Sequence, residues 1–183
     1  DLSDNQSIES HNNILFNATL DGGLELEKGC ISYPLEAGCW NHKREITLEG
    51  QSNKSYPFSI KIDTRKLIQE KKMQGDCSDL RVTWMNGTEQ EVYFWVEEGY
   101  CNTSQTTIWI EAPQIDEEET FNIYYANLEA SQASYHDAEE IFPFFDDFND
   151  GSLDTSKWQE VTDGHYNFPS GEGYVEYWTD GEG

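Results

Sequence analysis

The chain has 183 residues and carries 36 acidic against 11 basic side chains, a formal net charge of −25. That length suffices to bury a real core, and an aromatic share of 14% excludes an acidic disordered tail, which lacks such residues. The charge excludes sequence-neutral binding to nucleic acid or to an anionic membrane, because phosphates are repelled. No run of about 18 apolar residues occurs, so no membrane span is predicted.

Without an initiating Met or a signal-type opening, the chain reads as a mature, processed or excised segment. In chain order, residues 1–12 are polar and predict a loose arm. Residues 14–33 show short apolar–polar alternations broken by Asp21-Gly22-Gly23 and Lys28-Gly29, which predict two or three short strands. Period-two alternation predicts strands over 44–48 and 58–62. Residues 64–73 carry Leu67 and Ile68 with no Gly or Pro and predict the single helix, capped by Thr64. Further strands are predicted over 80–84, 91–98, 107–112 and 121–126, with a solvated acidic loop at 113–120. Residues 131–140 read as a loop or one helical turn. Strands at this spacing predict an all-β fold, an antiparallel, jelly-roll-like sandwich with one short helix and partial β elements at both termini.

Four cysteines, Cys30, Cys39, Cys77 and Cys101, fit no zinc or redox spacing. Asn86-Gly87 is a hairpin signal between the strands at 80–84 and 91–98. Such a hairpin brings Cys77 and Cys101 to its open end, within disulfide reach, and leaves Cys30 to pair with Cys39. Five N-x-S/T sequons stand at Asn5, Asn17, Asn53, Asn86 and Asn102, about threefold above chance for this composition. Disulfides and sequons together predict an exported, N-glycosylated protein at the cell surface or outside the cell. The sequon number favours an archaeal over a bacterial source.

The strands at 92–96 and 108–110 alternate aliphatic with aromatic residues, which makes both faces of their sheet apolar. Tyr93, Trp95, Trp109 and Tyr124 are the predicted aromatic contact face, able to stack on sugar rings or on a neighbouring subunit. His11, His42, His136 and His165 share no metal-ligand spacing, and neither a Gly-x-Ser-x-Gly elbow nor a Walker loop occurs. The chain is therefore read as no enzyme and as needing no cofactor. Asp146, Asp147, Asn149 and Asp150, with Asp154 beyond, concentrate oxygen ligands near Gly151 and mark a tentative calcium site.

Several blocks carry a family resemblance: Trp40, Arg44, Ile46 and Thr47; Asp79-Leu80-Arg81-Val82-Thr83; Tyr93-Phe94-Trp95-Val96-Glu97; Ile108-Trp109-Ile110 with Pro113; and Ile123-Tyr124-Tyr125-Ala126-Asn127. In this order, over roughly residues 40–145, they resemble a family of uncharacterised extracellular domains in large archaeal and bacterial surface proteins. The resemblance implies a β-sandwich module without assigned catalytic activity. A second string, Phe144-Phe145-Asp146-Asp147-Phe148 through Gly151 to Trp158, is similar to the first strand of concanavalin A-like jelly rolls, which include lectins and glucanases. The Glu-x-Asp-x-x-Glu motif of the laminarinase-type members is absent.

These readings divide the chain into 1–39, an N-terminal extension that donates a strand to another subunit or forms part of a jelly roll; 40–143, the sandwich; and 144–183, concanavalin-like strands incomplete on their own. The expected function is structural: a glycosylated subunit of a surface filament, pilus-like fibre or surface layer. It self-assembles head to tail as a homopolymer by strand complementation through residues 13–27 or 144–178. The alternative is a carbohydrate-binding or adhesion module of a larger surface protein.

Overall fold

The computed structural model describes residues 38–159 apart from 53 and 116, together with the backbone of five short strands nearer the termini. The strands in chain order are β1 (Asp4–Glu9), β2 (Leu15–Leu20), β3 (Leu24–Glu25), β4 (His42–Glu49) and β5 (Tyr56–Ile62). Helix α1 (Thr64–Gln69) follows, then β6 (Arg81–Asn86), β7 (Thr88–Glu91), β8 (Phe94–Val96), β9 (Thr106–Ala112) and β10 (Glu118–Tyr125). β11 (Gly164–Asn167) and β12 (Glu176–Thr179) close the order. The chain forms two compact units, Asp1–Ile141 and Phe142–Gly183.

The first unit is an antiparallel sandwich. Its larger sheet runs β1-β2-β4-β10-β6-β7, with β3 also paired to β4, and its smaller sheet runs β5-β9-β8. Alternation sets the layers. β9 buries Thr106, Ile108, Ile110 and Ala112 and leaves Thr107, Trp109 and Glu111 half-buried, as a strand with one face on a core must. Phe58, Ile60 and Phe94 share that inner face and meet Ile46, Leu48, Val82, Phe121 and Ile123 of the larger sheet. The Phe58 and Phe121 rings pack 5.1 Å apart between centroids. Burying each such side chain contributes about 1.5–3 kcal/mol.

Several expectations change. The polar residues 1–12 are not simply an arm: β1 pairs with β2 from Asp4↔Leu20 to Glu9↔Leu15. An edge strand needs no apolar alternation, so periodicity misses it. β2 lies between β1 and β4 of the same chain. The helix ends at Gln69 and its cap is Asp63, whose Oδ1 accepts the Lys66 N–H at 2.9 Å. Thr64 is instead buried, its hydroxyl 2.6 Å from that of Thr106.

The largest change is in residues 91–98, expected as one strand. β7 pairs with β6 across a turn at Gly87 (φ 67°); β8 belongs to the other sheet. The crossing takes two residues. The Val92 N–H still donates to Val82 O at 3.2 Å, whereas Tyr93 O already accepts the Glu111 N–H at 2.9 Å. Such a corner is how one chain serves both sheets of a sandwich. Cys77 and Cys101 are bonded, with Cα atoms 5.9 Å apart. Because of the crossing, their bond joins the lead-in to β6 in one sheet to the exit from β8 in the other. Cys39 is also disulfide-bonded; Cys30, its expected partner, lies outside the described residues.

In the second unit, β11 and β12 form a two-stranded sheet. The segment expected as a first jelly-roll strand is a series of turns. Asp146, Asp147, Asp150 and Asp154 each accept, on a carboxylate oxygen, the backbone N–H two residues on, at 2.9–3.2 Å. Asx turns of this kind compete with a strand ladder for the same N–H groups.

Candidate functional site

The outer face of the smaller sheet carries three of the four expected contact aromatics. Trp95 on β8 and Trp109 on β9 are direct cross-strand partners, with Ser59 of β5 on the far side of Trp109, and both indoles are half-buried. Tyr93 stands one step along, where the chain has just left the larger sheet. Its ring lies 5.0 Å from that of Tyr135, the planes tilted by 45°.

Tyr135 is held by a strap running along the edge of β8. The Phe94 N–H donates to Tyr135 O at 2.9 Å, and the Asp137 N–H donates to Phe94 O at 3.1 Å. His136 Nε2 accepts the Val96 N–H at 3.1 Å, and its ring stands edge-on to Phe94. Burial holds the His136 imidazole below its usual range, which keeps it neutral and keeps Nε2 an acceptor. The strap also covers an edge that would otherwise expose a row of unpaired backbone groups.

Beside these rings, at the corner between the two sheets, lies a cleft of about 230 Å3. Trp84, Tyr93 and Tyr135 supply aromatic walls, and Gln90, Glu91 and Glu111 supply polar ones. Trp84 is steadied by its indole N–H, which donates to Glu119 Oε2 at 2.7 Å. Among the described residues, no Lys, Arg or His lines the cleft. Burial raises the Glu111 carboxyl above its usual range, and the negative charge of Glu140 adds to this. Glu140 also raises the Tyr93 phenol, with smaller contributions from burial, Tyr135, Asp137 and Glu111. The local field is therefore negative.

Tyr124 is not part of this face. It lies on the outer face of the larger sheet, 2% exposed, packed with Trp40 and Ala130. Its hydroxyl donates to Glu89, which also accepts from Thr83 at 2.6 Å and from Asn122 at 2.9 Å. Burial, followed by that carboxylate, raises its phenol strongly. Alternation places Tyr124 opposite Tyr125 but does not say which sheet β10 enters.

A second cleft of about 350 Å3, lined in part by Trp40, Arg81, Asn127 and Ser131, is built differently. Arg81 is 1% exposed. Its terminal nitrogens donate to Ser78 O at 2.9 Å, Leu80 O at 2.7 Å and Ser131 O at 2.8 Å, and its guanidinium lies 5.0 Å from the Trp40 ring. Asp79 beside it accepts the N–H groups of Gln74 and Ala126 at 3.0 and 2.9 Å, while its own carbonyl accepts the Trp40 indole N–H at 2.7 Å. This network ties loops to the sheet, and the Arg81 terminal nitrogens, the Asp79 carboxylate and the Trp40 indole N–H are all engaged within the chain itself.

Among the described residues, no three His, Cys, Asp or Glu side chains come together as metal ligands. The expected calcium ligands Asp146, Asp147 and Asp150 each hold their own local turn, and Asn149 Nδ2 donates to Asp147 Oδ2 at 3.0 Å. The sequons divide. Asn86 and Asn102 are exposed, at the β6–β7 turn and at a left-handed position (φ 65°) after Cys101. Asn5 and Asn17 lie within β1 and β2, and Asn53 lies outside the described residues.

Residues 76–161 match the family profile of a domain of unknown function (DUF2341). Every described residue lining the cleft falls inside that segment; Trp40, β4 and β5 fall outside it. The match also runs through Phe144 and Trp158, the string expected to open a separate jelly roll. No curated protein and no solved structure matches the chain.

Proposed function

We propose that this chain is a non-catalytic carbohydrate-binding or adhesion module of an exported, glycosylated surface protein. The observation that carries this reading is the continuity of the Trp95–Trp109 pair with the Tyr93–Tyr135 cleft on one side of one sheet. Flat aromatic surface beside hydrogen-bonding side chains is what a pyranose ring requires: stacking for its apolar face, polar partners for its hydroxyls. The crosslink between Cys77 and Cys101 and the exposure of Asn86 and Asn102 support an oxidising, extracellular setting. Titration of a soluble glycan panel, followed by tryptophan fluorescence, tests the reading. Binding that is lost in a W95A/W109A double variant supports it, and no response to any glycan ends it.

A second reading is a self-assembling subunit of a filament or surface layer. It is favoured by β11–β12, a two-stranded sheet to which no third described strand is paired. A lone hairpin is marginal in water and gains stability from another strand or face. Light scattering and electron microscopy of non-reduced material decide it: regular polymers support assembly, and a monomer of about 21 kDa plus glycan refutes it.

A further inference from the structure

We propose that His136 is an acid-sensitive latch: on taking up a proton it frees the strap of residues 133–137 from the edge of β8 and draws Tyr135 away from the cleft it walls. The consequence, that a ligand bound at neutral pH is held less tightly in acid, rests on the binding-module reading and adds the regulation of that site.

The strap is tied to β8 by hydrogen bonds of two kinds. Between backbone groups, the Phe94 N–H donates to Tyr135 O at 2.9 Å and the Asp137 N–H donates to Phe94 O at 3.1 Å, the pattern of a parallel bridge between Phe94 and His136. At the next position an imidazole takes the place of a backbone carbonyl: the Val96 N–H donates to His136 Nε2 at 3.1 Å. A carbonyl accepts at any ordinary pH. An imidazole accepts only while neutral, because histidinium carries a proton on both nitrogens. Protonation therefore sets two N–H groups against each other and leaves the Val96 N–H without its acceptor.

The groups around the ring set the direction. β8 turns toward it the Phe94 ring, edge-on at 5.4 Å, and the Val96 N–H, neither of which titrates. On the strap, Asp137 is the charged group that acts on the imidazole, and it favours the proton, while Tyr135 packs its ring on Tyr93 instead. Burial opposes Asp137 and is the larger influence, so the closed strap holds His136 neutral below its usual 6.5. With the strap open, the ring returns to water and to that ordinary value. Below pH 6.5 the open form therefore takes up the proton first, and each full pH unit multiplies its population by up to about tenfold.

Latch and cleft wall are adjacent residues. Tyr135 precedes His136, and its ring meets that of Tyr93 at 5.0 Å between centroids. Tyr93 is held separately, through its carbonyl, which accepts the Glu111 N–H of β9 at 2.9 Å. Opening the strap thus parts the two rings instead of carrying both away. The buried side chains that flank the latch are Ala133 and Ala138, which are small and bury little apolar area. An edge strap held in this way opens at lower cost than the sandwich unfolds.

Residue-resolved hydrogen exchange of the full chain between pH 7.5 and 5.5, expressed as protection relative to the unstructured rate, tests the latch without any ligand. The Phe94, Val96 and Asp137 amides are expected to exchange through a local opening that low urea does not accelerate, unlike Ile108 and Ile110 of β9, which follow global unfolding. Their protection is expected to fall about tenfold from pH 7.5 to 5.5. It stays level in His136→Gln, whose side-chain carbonyl accepts the same N–H but does not titrate. Protection that is level in the parent, or that falls equally in His136→Gln, overturns the latch, and so does strap exchange with the urea dependence of β9. Titration with β-linked oligomers of glucose and of N-acetylglucosamine at both pH values then tests the consequence. Weaker binding at pH 5.5 in the parent but not in His136→Gln supports it, and equal affinity at both values overturns it. If neither oligomer binds, the consequence falls, and the latch stands or falls on exchange alone.

Discussion

Replacing Arg81 by Met removes a guanidinium that is 1% exposed while keeping most of its apolar stem. Three hydrogen bonds are lost, to the carbonyls of Ser78, Leu80 and Ser131. Each is charge-assisted and contributes about 1.5–3 kcal/mol; the contact with Trp40 at 5.0 Å adds about 2 kcal/mol in a desolvated site. Against this, several kcal/mol of ion desolvation is recovered. What decides the sign is that the three carbonyls of Ser78, Leu80 and Ser131 are left as orphaned acceptors, so the variant is expected to lose about 3 kcal/mol. With a urea slope of about 2 kcal/mol/M, the midpoint falls by about 1.5 M. Arg81→Lys keeps the charge but not the planar fork or the stacking, and loses about as much. Urea titration by tryptophan fluorescence measures both. A midpoint for the Met variant at or above that of the parent refutes the reasoning and shows that desolvation outweighs the three bonds.

Further outcomes follow from single features. A C77A/C101A double variant opens a loop with a sequence separation of 24 and is expected to cost about 3 kcal/mol, seen as a lowered melting temperature at matched protein concentration. His136 has a folded-state pKa below its unfolded value of 6.5. The unfolded chain therefore takes up the proton first, and the stability His136 contributes above pH 6.5 is lost as pH falls below that value. Urea midpoints between about pH 7.5 and 6 are expected to drop in the parent and to flatten in His136→Gln. Asp63→Ala removes the acceptor for the Lys66 N–H and is expected to cost about 1 kcal/mol, against no change for Glu70→Ala as an exposed control in the same denaturation assay.

How much was legible depends on the range of the interaction involved. The alternation in β9 is readable because each residue's face follows from its own position in the strand. The hairpin turn at Gly87 and the short helix after Asp63 are local for the same reason, and only their boundaries shifted. The Cys77–Cys101 pairing was legible although its route was not: the expected hairpin continues straight, while the chain turns a corner at Val92 and Tyr93. Trp84, Gln90, Glu91 and Tyr135 of the cleft were not singled out. Trp84 and Glu91 stand on strands of the larger sheet, and Tyr135 on a strap far along the chain. The one available signal was the placement of Tyr93 between two apolar runs, and that signal does not name its neighbours.

The amino-acid sequence by itself determined the class of the fold, because period-two alternation, turn residues and a single capped helical stretch are each written in a few adjacent positions. It also determined the acidity that shapes what can approach the surface. Only the tertiary structure decided which sheet each strand joins. That choice put Tyr124 under Trp40 and away from the contact face, buried Arg81 among carbonyls, and set two tyrosines from opposite ends of a 42-residue separation against each other at a carboxylate-lined corner. Alternation records that one side of a strand is apolar, but the partner that covers that side is chosen by packing between residues distant in the chain, and no local pattern carries that choice.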